Sequence, residues 1–75
     1  MKDKVYHVTA TWDQEAKVWV SESDIPGLVI EAETLQEFEA LMQELAPEVL
    51  ADNHGREGKR SIELVSRRRF ELEDA

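Results

Sequence analysis

Apolar and polar residues alternate at period two from Val5 to Trp12. Tyr6, Val8, Ala10 and Trp12 fall on one side and His7, Thr9 and Thr11 on the other, which predicts a half-buried first strand. Asp13 to Ala16 is a short polar interruption, and Lys17 to Ser21 then resumes β-branched and aromatic composition as an antiparallel second strand of a hairpin. In Ser23-Asp24-Ile25-Pro26-Gly27 the proline fixes one turn dihedral and the glycine can supply the positive φ that a type II turn requires, so the chain reverses there. Leu28 to Ala32 follows as a third strand.

The period then changes. Thr34, with Glu37 three residues on, forms a capping box that opens a helix, and Leu35, Phe38, Leu41, Met42 and Leu45 recur at three and four along one face. Pro47 lacks an amide proton, so the helix is predicted to kink there or to restart with a second turn over Glu48 to Ala51. Asp52 to Lys59, with two of the three glycines, predicts a loop, and alternation from Ser61 to Leu72 predicts a long fourth strand. A right-handed crossover through the helix sets strand 4 beside and parallel to strand 1. The expected fold is α+β, a two-layer β-β-β-α-β unit whose mixed four-stranded sheet has the order 3-2-1-4, with one helix on one face. The whole chain, 1–75, reads as one domain with its core over about 4–72 and a frayed end at 73–75.

Length and composition sharpen this picture. A chain of 75 residues with 41% hydrophobic content can build only a thin core. Without cysteine, neither disulfides nor thiolate zinc sites can reinforce it, which leaves oligomerisation as the remaining support and makes a homodimer the expected state. No apolar run approaches the roughly 20 residues needed to span a bilayer, so no membrane association is expected and the cytoplasm is the expected compartment. The net charge of −8 is unevenly spread: residues 13–52 carry eleven of the seventeen acids and only Lys17 as a base, while Arg56, Lys59, Arg60, Arg67, Arg68 and Arg69 hold six of the nine bases. Such a chain repels phosphate and favours a basic protein partner, and direct DNA or RNA binding is not expected.

Catalytic constellations are absent. His7 and His54 have neither metal-ligand spacing nor neighbouring cysteines, the serines lack a nucleophile-elbow context, and Gly55 to Lys59 is too short for a phosphate loop. An enzyme is not expected, nor any metal or cofactor. Trp19 depends on register. A loop of four residues, 13–16, would set Ala10 opposite Trp19 and turn it toward the helix, whereas a loop of three or five would turn it outward as a contact residue. Partner-contact candidates are Trp19, Val29, Glu31, Val65, Arg67 and Arg69. An alternative is a nucleic-acid-associated dimer in which Arg56, Lys59, Arg60, Arg67 and Arg69 form a positive stripe.

The hairpin through Trp12-Asp13 and Val18-Trp19-Val20, the turn Ile25-Pro26-Gly27-Leu28, and Glu33-Thr34-Leu35-Gln36-Glu37 opening the helix together resemble the HicB-like antitoxins, in particular their short single-domain relatives long filed as a domain of unknown function. The resemblance covers roughly residues 5–51. It implies a partial RNase H fold without nuclease activity, acting as an antitoxin that covers a small basic HicA-like mRNA-cleaving toxin. Full-length members usually add a C-terminal DNA-binding segment, for which this sequence has no counterpart.

Overall fold

A computed structural model describes residues 4–53 and 60–73. Strands β1 (Lys4–Asp13), β2 (Val18–Ser23) and β3 (Glu31–Ala32) precede a helix, α1 (Leu35–Asn53), and a last strand, β4 (Arg60–Arg67). The sheet order is β3-β2-β1-β4, with β1 antiparallel to β2 and parallel to β4. This is the expected α+β unit. The period-two pattern of β1 is reproduced in burial: Tyr6, Val8 and Ala10 lie under the helix while Val5 and His7 are exposed on the other face.

The hairpin closes one residue later than predicted. Asp13 stays in the ladder opposite Val18, and Gln14 to Lys17 form the loop. The Asp13 carboxylate accepts hydrogen bonds from the amides of Glu15 (3.0 Å) and Ala16 (3.2 Å), and the Lys17 amide donates to the Asp13 carbonyl at 2.7 Å. Lys17 takes the left-handed conformation, φ 60°, which returns the chain into β2. Four loop residues preserve the parity of the pairing, so Trp12 faces Trp19 and both lie on the helix side.

At the Pro-Gly turn the Leu28 amide donates to the Ile25 carbonyl at 3.2 Å, and Gly27 has φ +85°, the positive value a type II turn requires at its third residue. The following strand is shorter than predicted. Leu28 and Ile30 are buried and Val29 is exposed, as a strand over 28–32 would have them, but only Glu31 and Ala32 join the ladder. The Ile30 amide donates to the Ser21 side-chain oxygen (2.9 Å) in place of a backbone carbonyl, so a serine hydroxyl ends the regular pairing.

Thr34 caps α1, its hydroxyl oxygen accepting from the Glu37 amide at 3.0 Å. The helix neither stops nor restarts at Pro47 but runs through it to Asn53. Gln43, whose carbonyl loses its helical donor, and Pro47 itself are both exposed, so water can solvate the orphaned carbonyl. The buried positions Phe38, Met42, Ala46 and Leu50 continue at intervals of four across the proline, and their burial opposes its intrinsic cost of about 3 kcal/mol. Asp52 and Asn53 of the predicted loop thus belong to the helix, and its remaining residues, 54–59, lie outside the described residues. β4 ends at Arg67, short of the predicted Leu72: its pairing with β1 stops at Thr11, although β1 itself runs on to Asp13 against β2. Among the described residues no helix is long and apolar enough to cross a membrane.

Candidate interaction surfaces

Among the described residues one helix covers one face of the sheet and no element covers the other. On the open face His7 joins three elements. Its amide donates to Asp24 Oδ1 at 2.9 Å, its Nδ1 lies 3.3 Å from Asp24 Oδ2, and its Nε2 lies 3.6 Å from Glu63 Oε1 on β4. The Asp24 amide returns a hydrogen bond to the His7 carbonyl at 3.2 Å, so one aspartate extends the β1–β2 ladder with both its backbone and its side chain. The hydrogen bond from the His7 amide, helped by the imidazole, holds the Asp24 carboxyl below its ordinary pKa. A depressed carboxyl pKa adds stability that is present above the unfolded-state pKa and lost as pH falls through the folded one. Asp24→Asn is therefore expected to destabilise the fold at neutral pH and to match the wild type at the acid end, as urea midpoints measured across the acid range would show. The trio is a polar clasp across three elements; among the described residues no group of three or more histidine and acidic side chains is placed to hold a metal ion.

Of the sequence-derived contact candidates, Trp19 is corrected. It is 7% exposed, packed under the helix, with its ring centroid 5.3 Å from that of Trp12 in an edge-to-face arrangement. The hairpin parity that turns it inward removes it from any contact surface. Val29, Glu31, Val65, Arg67 and Arg69 are all exposed, but they do not form one patch. Val29 and Glu31 belong to the β3 edge, whereas Val65 and Arg67 lie on β4 at the opposite edge, with Arg69 just beyond it.

The two edges differ in charge. At the β3 edge a shallow cleft of about 470 Å³ is lined by Val18, Ala32, Ala40 and Leu41 and carries the carboxylates of Glu31, Glu33 and Glu37. Glu33 and Glu37 flank the helix N-terminus, whose dipole favours negative charge, so local structure places them there whatever they contact. At the β4 edge Arg67 and Arg69 are exposed, while Arg60 is half-buried on the helix side of β4, beside Met42, Ala46 and Leu50. Arg60 thus does not line up with Arg67, and Arg56 and Lys59 of the alternative positive stripe lie outside the described residues.

Arg68 has a role that the sequence reading missed. Its guanidinium stands 4.3 Å from the Trp12 ring centroid, 4.9 Å from that of Phe70 and 6.0 Å from that of Trp19, capping the aromatic end of the core beyond the helix. Arg68 follows directly on β4. Phe70 is a local neighbour, but Trp12 and Trp19 come from the β1–β2 hairpin, more than 45 residues away in sequence, and no local signal names them.

The family model for a domain of unknown function, DUF1902, matches residues 5–72. The crystal structure of hypothetical protein TTHA1013 from the extremely thermophilic bacterium Thermus thermophilus is similar to this chain, with a TM-score of 0.77 and 40% sequence identity over 91% of this chain and 99% of that one. No curated protein matches.

Proposed function

This chain belongs to the DUF1902 family of domains of unknown function, and from that premise we propose that it is a non-catalytic protein-binding domain, a HicB-like antitoxin that neutralises a small basic mRNA-cleaving toxin of the HicA type. The observation that carries the reading is the β3 edge, where Glu31, Glu33 and Glu37 surround an apolar floor of Val18, Ala32 and Leu41. An apolar centre with a charged rim is the anatomy of a protein contact, and the negative rim complements a basic partner and speeds its association. The resemblance of the Pro26-Gly27 turn and the Thr34 to Glu37 cap to HicB-like sequences supplies the class of partner.

The test uses a purified HicA-like toxin. The wild-type chain is expected to bind it and to stop its cleavage of mRNA. The triple variant Glu31→Gln, Glu33→Gln, Glu37→Gln is expected to associate at least about tenfold more slowly at low salt, with the difference closing as salt rises. Failure of the wild-type chain to bind or inhibit the toxin sinks the reading.

A further inference from the structure

We propose that the free edge of β4 is a homodimer interface, in which two copies of the strand pair antiparallel about a twofold axis at Val65 and join their sheets into one of eight strands. The inference concerns the chain alone and stands apart from the identity of any toxin.

β4 is an eight-residue edge strand, and among the described residues no strand pairs with its outer side. Its unpaired backbone groups are a template for another strand. Nor is its helix-facing side well covered: Ile62 and Leu64 are only half-buried, in contrast to Val8 and Ala10 on the adjacent β1, which are fully buried. On the open face Val65 is 52% exposed. An edge strand whose apolar residues are incompletely covered on both faces is suited to a partner arriving at that edge.

Symmetry and charge select both the occupant and the register. Residues directly opposite in an antiparallel pair share a face of the sheet, and side chains alternate along each strand. A twofold axis can therefore pass only through a pair of identical residues, and both helices then lie on the same side. Centring on Glu63 or on Arg67 would juxtapose like charges. Centring on Leu64 leaves Glu63 opposite Val65. Centring on Ser66 sets Arg67 opposite Val65 and sends Glu63 to Arg69, which lies beyond the end of the strand. With the axis at Val65, each Glu63 faces the other copy's Arg67, so two ion pairs flank a valine pair, and all these residues lie within β4. The run Glu63-Leu64-Val65-Ser66-Arg67 is self-complementary when reversed, which singles out a second copy of this chain as the partner.

Sedimentation velocity over a concentration series tests this, with circular dichroism verifying that each variant is folded. The wild type is expected to be dimeric. Glu63→Arg and Arg67→Glu should each weaken the dimer by about tenfold or more, since either creates two like-charge pairs. The double variant Glu63→Arg with Arg67→Glu should restore it. Arg69→Glu, opposite Ser61 in this register, should leave it unchanged. A monomeric wild type, a dimer indifferent to the single swaps, or a double variant no better than the singles would overturn the proposal. A stronger effect at Arg69 than at Arg67 would overturn the register.

Discussion

Phe38→Ala is expected to leave a large fraction of this protein unfolded without denaturant. Phe38 is fully buried, at the first of the four helix positions that face the sheet, and it is among the largest side chains with no exposed surface. Removing a buried phenylalanine side chain typically costs about 3 to 5 kcal/mol, from lost transfer free energy and from the cavity left behind. A domain of 75 residues has a total stability of about 4 to 11 kcal/mol at the usual density per residue. The substitution thus removes much of what there is, and no disulfide makes up the difference. Urea unfolding followed by circular dichroism should show a truncated or missing native baseline for Phe38→Ala and a complete transition at lower midpoint for Phe38→Leu. A midpoint for the alanine variant close to that of the wild type would mean that the helix is not docked through this residue.

How much of this architecture was legible in the sequence follows from the range of the interactions involved. Short-range rules sufficed where one residue type has one physical use: Gly27 at positive φ, Thr34 at the helix cap, and the alternation along β1 that separates Val8 from His7. They misplaced boundaries wherever a side chain replaced a backbone partner. The Asp13 carboxylate caps the hairpin turn from within the ladder, and the Ser21 hydroxyl ends the regular pairing with the third strand. The helix did not restart at Pro47 because the hydrogen bond that the proline removes frees one carbonyl, that of Gln43, at an exposed position. Of the contact candidates, exposure was inferred correctly for Val29, Glu31, Val65, Arg67 and Arg69, but their division between two opposite sheet edges required the topology. Arg68 over Trp12 is a contact between chain ends and lies beyond any local rule.

Trp19→Ala is the second change expected to be severe, and its outcome bears on where a partner can bind. An exposed tryptophan at an interface loses partner affinity when truncated while the free domain keeps its stability. Trp19 is instead 7% exposed and lies directly across the ladder from Trp12 on β1 and beside Ala32 on β3. The alanine variant is expected to lose about 3 to 5 kcal/mol of folding stability, the range for a core aromatic. Trp12→Ala should lose less, because Trp12 is only half-buried, even though it forfeits the guanidinium of Arg68. The two rings touch, so the double variant should lose less than the sum of the singles, by about 0.5 to 1.5 kcal/mol for the edge-to-face pair. Tryptophan fluorescence of Trp12→Phe, which leaves Trp19 as the sole emitter, should be blue-shifted when folded and move to the red on unfolding. Full stability of Trp19→Ala with red emission from the folded Trp12→Phe protein would turn Trp19 outward. It would also reverse the hairpin parity on which the division between the buried face and the open face depends.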